Sequence, residues 1–262
     1  MSTGYLYVDI HDDVAVLTLD RPDKLNALDV ETRRALAAAI REHGTGNSVR
    51  GIVLTGTGRA FSAGEDLSAA PSSYDDVRIG MATFHDITRA ILATTVPVIA
   101  AVNGIAVGGA SEITLCCDAR VGTPTAEYYQ PENQRGISIS NASSVLMGRL
   151  VGNHAMRIIL GSERIGADEA LRIGLLDEIV PAATLLERAI DVITAWTTDP
   201  RTTAVHLGLL RPPTEVIEAA FAREDVAADI CWESGAFTEG VAGFWSAKHA
   251  AAVADCPNGH PL

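Results

Sequence analysis

The sequence is poor in basic residues and has no long apolar run. It holds 20 Lys and Arg against 33 Asp and Glu, a formal net charge of −13 over 262 residues. Proteins that bind nucleic acid present a basic face, and no cluster of Lys and Arg here could form one. A membrane-spanning helix needs about 18 apolar residues in succession, and residues 1–5 lack the basic and apolar regions of a signal peptide. We therefore expect a cytoplasmic protein that binds neither nucleic acid nor membrane.

Sequence motifs for metals, nucleotides and activated nucleophiles are missing as well. The four cysteines, Cys116, Cys117, Cys231 and Cys256, have no metal-ligand spacing, and the seven histidines form no HExxH motif. We find no G-x-G-x-x-G fingerprint, no P-loop and no G-x-S-x-G nucleophile elbow. We therefore expect reduced thiols, no bound metal and no redox cofactor.

Strand and helix patterns alternate along most of the chain. Hydrophobic residues make up 47% of it, which is enough for a sizeable core. Apolar runs predict strands at 14–19, 51–55, 97–102, 119–122 and 177–180. A helix is predicted from the N-cap Asp29 to His43, with Gly44 at its C′ position, and another from Tyr74 to Ala93. This order indicates an α/β fold with a mainly parallel sheet.

The last part of the chain has a helical pattern. Helices are predicted at 185–198, 213–231 and 238–253, and the tail from Asp255 is expected to fray. We place the boundary between a core of residues 1–195 and a C-terminal helical region of residues 196–262. No low-complexity linker marks this boundary.

Two glycine-rich turns, at residues 58–67 and 103–112, each follow a predicted buried strand. Glycine lets the backbone turn sharply and approach a ligand closely. Free N–H groups at such a turn, with a helix starting behind them, can bind an anionic group. Taken alone, each turn is either such a site or an ordinary tight turn.

Two glutamates lie near these turns. Glu112 is in the first turn of the helix after the second glycine turn, and Glu132 follows Pro131 twenty residues later. Glu112 could be a simple partner of the helix dipole, and Glu132 could be a surface residue. Alternatively, two carboxylates in a dry pocket can act as acid and base, because burial and mutual repulsion separate their proton affinities.

Five segments in chain order resemble signatures of the crotonase (enoyl-CoA hydratase/isomerase) family, and they cover nearly the whole chain. The segments are LTLDRPDKLNAL at 17–28, AFSAGEDL at 60–67, the stretch from PVIAAVNG at 97–104 through GGASE at 108–112 to Cys117 and Asp118, YQPEN at 129–133, and FTEGVAGF at 237–244 with Lys248. The resemblance implies a crotonase-like spiral of ββα turns, followed by a C-terminal helical region that mediates trimer formation. It also implies a homo-oligomer, either a trimer or a dimer of trimers.

The resemblance further implies roles for individual residues. The backbone N–H groups of Glu65 and Gly109 would form an oxyanion hole for a thioester carbonyl, with the side chain of Glu65 pointing to solvent. Glu112 would activate water and Glu132 would protonate the α-carbon. The coenzyme A and substrate groove would be lined by Lys24, Ala27, Ala63, Asp66, Leu67 and Gly108.

The chain departs from the family pattern after the second glutamate. Hydratases of the family usually carry a glycine-rich stretch of the type Ile-Pro-Gly-Ala-Gly-Gly-Thr, whereas this chain has ISISNASS at 137–144. One interpretation is a pocket shaped for a polar or unusual acyl group. The other is a differently built helix N-terminus, capped by Ser140 or Asn141. The sequence leaves both open.

We expect the reversible addition of water to a trans-2-enoyl-CoA, with coenzyme A as part of the substrate and no other cofactor. The presence of both glutamates favours this reaction over that of an enoyl-CoA isomerase, which needs a single base. Hydrolysis or retro-Claisen cleavage of a thioester or diketone is a third alternative. A protein that binds acyl-CoA without turnover is a fourth.

Overall fold

The structure is a computed structural model that describes residues 2–3, 5–46, 48–69, 73–243 and 246. Phe244, Lys248 and the tail from Asp255 lie outside these residues. Of the helix predicted at 238–253, residues 238–243 are described without interruption and are helical. No helix of the described ranges is long and apolar enough to span a membrane.

The described chain is built from short strands and intervening helices. The strands are β1 Ser2–Thr3, β2 Leu6–His11, β3 Val14–Leu19, β4 Gly51–Gly56, β5 Ala60–Ser62, β6 Val98–Val102, β7 Ile105–Val107, β8 Ala119–Gly122, β9 Glu127–Tyr129, β10 Ile165–Gly166 and β11 Glu178–Ile179. The helices are α1 Val30–Gly44, α2 Tyr74–Leu92, α3 Gly109–Cys116, α4 Ser143–Val151, α5 His154–Ile159, α6 Ala167–Ile173, α7 Leu185–Trp196, α8 Pro200–Leu210 and α9 Thr214–Glu233.

The larger sheet has, within the described residues, seven strands in the order β1-β2-β3-β4-β6-β8-β11. The pairs β1–β2 and β2–β3 are antiparallel. The remaining adjacent pairs of this sheet, β3–β4, β4–β6, β6–β8 and β8–β11, are all parallel. The five strands predicted from the apolar runs correspond to β3, β4, β6, β8 and β11, so the mainly parallel α/β fold is confirmed.

A smaller sheet runs beside the larger one in the order β10-β9-β7-β5, and its strands β5, β7 and β9 are parallel neighbours. The chain fills the two sheets alternately. The strands β4, β6 and β8 join the larger sheet, and the strand that follows each of them joins the smaller one. A helix follows each pair of strands. This repeat is the predicted spiral of ββα turns.

Helices cover both faces of the larger sheet. On one face Val16 and Val53 pack against Ile193 of α7. On the other face Leu17 and Ile52 belong to the main core, which includes α1. Because both faces are buried, these strands are continuous apolar runs without a polar alternation.

The C-terminus of α1 differs from the prediction. Asp29 is the N-cap, as predicted, and its side chain accepts the N–H of Thr32 at 2.8 Å. The helix continues through Gly44, so the prediction of Gly44 at C′ is wrong. Thr45 closes the helix instead, because its backbone N–H and its hydroxyl both donate to the carbonyl of Arg41, at 3.3 and 2.8 Å.

Helix α8 has no counterpart in the sequence prediction. Its start signal consists of Pro200 in the first turn and the N-cap Asp199, whose side chain accepts two backbone N–H groups. Together with α7 and α9 it makes the C-terminal region helical. Phe221 of α9 lies in the main core, and the boundary between residues 195 and 196 stays a prediction.

Candidate active site

Residues that the sequence predicts to be functional gather at the carboxyl end of the smaller sheet. Glu65 follows β5, Gly109 follows β7 and Glu132 follows β9. These three strands are parallel neighbours, so the loops that leave them lie side by side at the carboxyl ends of the strands. Ligands bind at the carboxyl ends of the strands in open α/β sheets. The repeated ββα turn therefore brings together residues that are far apart in the sequence.

The loops after β5 and β7 touch each other. A Cβ atom at Gly64 would lie 2.4 Å from the carbonyl oxygen of Val107. A Cβ atom at Gly108 would lie 2.7 Å from Oε1 of Glu132. Both glycines also have positive φ angles, 80° at Gly64 and 55° at Gly108. Glycine at these two positions is thus required for the close approach of the loops and of the Glu132 carboxyl group.

Two backbone N–H groups at this edge are free to bind a ligand. Those of Glu65 and Gly109 have no acceptor among the described residues. Gly109 is the first residue of α3, where the helix leaves N–H groups without partners and carries the positive end of its dipole. Both residues line the same cavity. This pair is suited to stabilise an oxyanion.

The cavity has a volume of about 70 Å³ and is bordered by the glycine loops, α2 and the C-terminal helices. Most of its walls are apolar, and two buried glutamates supply carboxyl groups to it. The sequence-predicted residues that line it are Ala63, Glu65, Leu67, Gly108, Gly109, Glu112 and Glu132. Lys24, Ala27 and Asp66 are not part of this lining.

Glu112 is buried and held by several hydrogen-bond donors. The hydroxyl of Ser140 donates to Oε2 at 2.6 Å, and the backbone N–H of Ser140 lies 3.0 and 3.1 Å from Oε1 and Oε2. Nδ2 of Asn141 donates to Oε2 at 3.3 Å. Burial, together with the charge of Glu132, raises the pKa of Glu112 well above its ordinary value, while the hydrogen bonds from Ser140 lower it.

Glu132 has fewer donors, because only its own backbone N–H hydrogen bond and the charge of Arg135 favour its ionised form. It is the first residue of a short 3-10 helix after β9 and is 8% exposed. Its Oε2 atom is buried and has no hydrogen-bond partner in the described part of the chain. Burial raises the pKa of Glu132 to about 7, because a charged carboxylate is poorly solvated there. A carboxyl group with this pKa can donate or accept a proton at neutral pH.

Glu224 of α9 fixes the segment that holds Glu112. Its carboxylate accepts the backbone N–H of Ala142 and that of Ser144, each at 2.9 Å. These groups belong to the N-terminus of α4, so Glu224 caps this helix. Capping by Ser140 or Asn141, one of the two interpretations of 137–144, is therefore wrong.

The other interpretation, polar groups beside the pocket, agrees with the structure at two positions. Ser138 and Ser140 both line the cavity. The hydroxyl of Ser138 donates to the carbonyl of Ile139 at 3.1 Å, and that of Ser140 donates to Glu112. The altered segment thus places hydroxyl groups at the cavity, and one of them binds a candidate catalytic carboxylate.

The side chain of Glu65 does not point to solvent, in contrast to the prediction. Its Oε1 atom lies 3.4 Å from Nη1 of Arg33, and its side chain is 29% exposed and lines the cavity. Arg33 is buried on α1, where its guanidinium stacks on Phe84 with 4.3 Å to the ring centroid. A buried guanidinium needs a counter-charge, which explains the direction of the Glu65 side chain.

Lys24 and Ala27 lie on a turn that packs beside the loop after β5. The backbone N–H of Ala63 donates to the carbonyl of Leu25 at 2.8 Å, and that of Leu28 donates to the carbonyl of Gly64 at 2.8 Å. Ala27 is buried, and Lys24 is exposed. The turn therefore borders the site loop without lining the cavity.

Asp66 is engaged with other parts of the protein. Its carboxylate accepts from Nη1 of Arg21 at 2.6 Å and from the backbone N–H of Ser68 at 2.9 Å. Burial opposes ionisation, yet the hydrogen bonds from Ser68 and Arg21 lower the pKa of Asp66 below its ordinary value. The side chain of Asp66 thus stabilises the loop that carries Glu65.

The sequence prediction missed the residues that close the cavity on the far side. Val77, Met81 and Phe84 of α2 line it, and Ala228 of α9 and Phe237 line it from the C-terminal region. On α2 these residues follow a spacing of three or four, which predicts a buried helix face. Such a pattern does not distinguish a face packed on protein from one packed on a ligand.

The cofactor and metal expectations stay predictions. Within the described residues no group of three or more His, Cys, Asp or Glu side chains has the geometry of a metal site. Cys116 and Cys117 are buried free thiols. Burial raises the pKa of Cys116 to about 12, so this thiol stays protonated at neutral pH.

Comparison with known proteins gives consistent matches. Residues 9–213 match the family model described as "Enoyl-CoA hydratase/isomerase". The chain is 36% identical over 183 residues to a "Probable enoyl-CoA hydratase" of Rhodobacter capsulatus, covering 69% of this chain and 70% of that protein. It is also 36% identical over 183 residues to a "Short-chain-enoyl-CoA hydratase" of Clostridium acetobutylicum, covering 68% of this chain and 70% of that protein.

Solved structures extend the match to nearly the whole fold. The crystal structure of an enoyl-CoA hydratase from Mycobacterium avium subsp. paratuberculosis K-10 is 27% identical in sequence and superposes with a TM-score of 0.81. The superposition covers 94% of this chain and 97% of that one. It includes the ββα spiral and the helices that follow it, so the fold class expected from the sequence is confirmed.

Proposed function

The chain belongs to the enoyl-CoA hydratase/isomerase (crotonase) family, and on this basis we propose that it adds water reversibly to trans-2-enoyl-CoA thioesters. The substrate class follows from the family and from the names of its relatives. Coenzyme A enters as part of the substrate. The reaction moves only water and protons, so it needs no metal or redox cofactor.

The proposed oxyanion hole consists of the backbone N–H groups of Glu65 and Gly109. When water adds at the β-carbon, negative charge develops on the thioester oxygen as an enolate forms. Two rigid donors that are free in the unliganded protein would bind this charge with little reorganisation. A donor of this kind typically lowers a barrier by about 3–4 kcal/mol.

The two glutamates divide the proton transfers between them. Charged donors and hydrogen bonds favour an ionised carboxylate, and a dry site without donors favours a protonated one. Glu112 accepts hydrogen bonds from Ser140 and Asn141, whereas Oε2 of Glu132 accepts none among the described residues. Burial raises the pKa of both carboxyl groups, and the hydrogen bonds from Ser140 oppose this effect at Glu112. From these hydrogen bonds and the family resemblance we assign Glu112 as the base that activates water and Glu132 as the acid that protonates the α-carbon.

This contrast between two buried carboxyl groups is the observation that carries the proposal. Hydration needs a base at the β-carbon and an acid at the α-carbon at the same time. An isomerase needs one carboxylate that moves a single proton between two carbons. A site that keeps one glutamate hydrogen-bonded and the other without donors on Oε2 fits the two-group reaction.

The groove for coenzyme A extends the site along the turn at 22–28 and the loop after β5. Lys24 is an exposed cation at this edge and is suited to contact a phosphate group of the cofactor moiety. Ala27, Ala63, Leu67 and Gly108 would border the pantetheine and acyl parts. The role of Asp66 in this groove is indirect, because its carboxylate binds Arg21 and Ser68.

We further propose that the protein acts in the cytoplasm as a trimer or a dimer of trimers, assembled through its C-terminal helices. The support is a set of apolar side chains that α8 and α9 leave exposed. These residues are Val205, Leu209, Leu210, Val226 and Ile230. A monomer gains nothing from exposing these apolar side chains, whereas an interface between copies buries them.

The first experiment follows the absorbance of the enoyl-thioester chromophore of crotonyl-CoA. The wild-type protein is expected to remove this absorbance as water adds across the double bond. The variants Glu112→Gln and Glu132→Gln keep the shape of each side chain but cannot take their part in proton transfer, and each should lower the rate at least ~100-fold. The exposed Glu42 offers a matched control, since Glu42→Gln should leave the rate unchanged.

Titration calorimetry separates chemistry from binding. Glu132→Gln is expected to bind crotonyl-CoA with nearly wild-type affinity, because the oxyanion hole is intact. If the wild-type protein binds crotonyl-CoA and leaves its absorbance unchanged, the hydratase proposal is wrong. A gain of the same absorbance from a 3-enoyl-CoA would then identify an isomerase.

A further inference from the structure

The two oxygen atoms of Glu112 have unequal surroundings. Oε2 receives the hydroxyl of Ser140 at 2.6 Å, its backbone N–H at 3.1 Å and Nδ2 of Asn141 at 3.3 Å. Oε1 receives only the backbone N–H of Ser140, at 3.0 Å. Oε1 therefore keeps capacity for another hydrogen bond, and the carboxyl group is tied down through Oε2.

A second set of contacts fixes these donors. The hydroxyl of Thr88 on α2 donates to Oδ1 of Asn141 at 2.9 Å. This bond leaves the Nδ2 end of the amide to face Glu112. Asn141 also has a φ of 58°, in the left-handed region that asparagine tolerates better than most residues. The orientation of the Asn141 amide is thus set from two sides.

The backbone of this segment is anchored from α9. Glu224 accepts the N–H groups of Ala142 and Ser144, and it lies 3.5 Å from Nε2 of His85. His85 and Glu224 are both only 2% exposed. Because Ser140 and Asn141 directly precede these anchored residues, the donors to Glu112 are held on a rigid piece of backbone.

The side-chain donors to Glu112 belong to segment 137–144, where the chain departs from the family pattern. Glycine and alanine, which the resemblance leads us to expect in this segment, offer a backbone N–H and no polar side chain. Here Ser140 adds a hydroxyl and Asn141 adds an amide, and both reach the same oxygen of Glu112.

We propose that Ser140 and Asn141 are positioning residues that clamp Oε2 of Glu112, so that Oε1 is presented to the attacking water. The clamp rests on the proposed function, since it needs Glu112 to be the base. The hydrogen bonds of Ser140 lower the pKa of Glu112 and oppose the effect of burial. Burial and the charge of Glu132 still raise the pKa of Glu112 well above its ordinary value, so loss of these donors should raise it further and leave less of the ionised base.

Several other ionisable groups surround Glu112 and can influence its pKa. They are Glu132 after β9, Glu224 on α9, His85 on α2, Cys116 on α3 and Arg135 at the cavity wall. None of these groups is altered by a change at position 140 or 141. A shift in the titration of Glu112 in such variants therefore reports on the clamp.

The experiment compares the pH dependence of kcat for crotonyl-CoA hydration in wild type, Ser140→Ala and Asn141→Gly. A base must lose its proton to act, so the acid limb of the profile follows the pKa of Glu112 in the substrate complex. Loss of the Ser140 hydroxyl should move this limb upward by about one pH unit and lower kcat near neutral pH about tenfold. KM should change little. Asn141→Gly keeps the left-handed backbone and should cause a smaller shift in the same direction.

Ser144→Ala is the matched control, because its backbone N–H to Glu224 is retained and its exposed hydroxyl has no contact with Glu112. It should leave the profile unchanged. A structural role alone would lower the thermal stability of Ser140→Ala without moving the acid limb. That outcome, with kcat within about twofold of wild type, would overturn the clamp.

A second readout does not depend on turnover. Protein labelled with ¹³C at the glutamate carboxyl groups reports the protonation of Glu112, whose signal is assigned by its loss in Glu112→Gln. The midpoint should be higher in Ser140→Ala than in wild type by about one pH unit. If wild type fails to hydrate crotonyl-CoA, the proposed function falls, and this midpoint alone decides whether the clamp exists.

Discussion

At the scale of single residues, the two glutamates of the site have different hydrogen-bond surroundings. Glu112 and Glu132 are both buried, but only Glu112 is surrounded by donors. Burial raises the pKa of Glu132 from 4.5 to about 7. Such a shift is also a cost to the folded state, because the unfolded chain loses this proton more easily.

The first residue-scale prediction concerns stability and pH. Between pH 4.5 and 7 the folded protein keeps a proton on Glu132 that the unfolded chain has lost, so stability falls as the pH rises through this window. Glu132→Gln removes the titration. The free energy of unfolding of the variant, relative to wild type, should therefore rise by on the order of 3 kcal/mol from pH 4 to pH 8.

Urea unfolding at several pH values measures this difference. Glu42→Gln serves as the control again, since its exposed side chain should give a constant difference across the same range. A constant difference for Glu132→Gln as well would mean that Glu132 titrates as in the unfolded chain, and its assignment as an acid at neutral pH would be wrong.

At the scale of elements, the N-terminus of α4 depends on a residue far along the chain. Asn141 and Ala142 both have φ angles of 58°, and Ala142 has no side chain that could cap a helix. The cap comes from Glu224 of α9, which accepts two of the N–H groups there. Helix α9 thus fixes the segment that holds Glu112, although it carries none of the proposed catalytic residues.

The prediction at this scale is that Glu224→Ala lowers the free energy of unfolding by about 3 kcal/mol. The change leaves one buried and one partly buried N–H group without an acceptor, and each such loss costs about 1–3 kcal/mol. Urea unfolding monitored by circular dichroism provides the measurement. The neighbouring Asp225 gives a control, because Asp225→Ala removes a carboxylate that is 39% exposed and should cost less than 1 kcal/mol.

Elements were easier to predict than the contacts between them. The strands β3, β4, β6 and β8 are short apolar runs with clear ends, and Asp29 is a local capping signal. The smaller sheet was missed because β5, β7 and β9 have three residues each, too few to show a period. The cap by Glu224 joins positions about eighty residues apart, and no local pattern contains that information.

The active site was also predicted in part. Glu112, Glu132, Glu65 and Gly109 were placed together because the family resemblance supplied their roles. The clamp by Ser140 and Asn141 was not foreseen, since the sequence shows only that polar residues replace glycines and an alanine. Which atom each polar group reaches depends on the contacts that Thr88 of α2 and Glu224 of α9 make with this segment.

At the scale of the whole molecule, the C-terminal helices have one side packed on the rest of the chain and another side that is exposed. Phe221 of α9 belongs to the main core, and Ala228 and Phe237 border the cavity. The opposite side of α8 exposes apolar residues, with Leu209 at 75% and Leu210 at 74%. The region thus completes the active site of its own chain and offers a surface for other copies.

The prediction at this scale is that light scattering after gel filtration gives a mass of three or six copies of the 27.6-kDa chain. Leu209→Glu places a charge in the proposed interface and should shift the protein toward the monomer. Leu171→Glu changes an exposed leucine of α6, outside the C-terminal helices, and should leave the mass unchanged. A wild-type protein that runs as a monomer would contradict the proposed assembly.

The repeated ββα turn has a consequence for how this protein can vary over evolution. Helix α2 has 19 residues and α3 has eight, yet the strands β5 and β7 that precede them are parallel neighbours and end on the same side of the smaller sheet. The spacing of these ends is set by strands that lie about 4.8 Å apart, and helix length does not enter into it. Lineages can therefore lengthen or shorten these helices, and with them the walls around the substrate, while the reacting groups keep their separation.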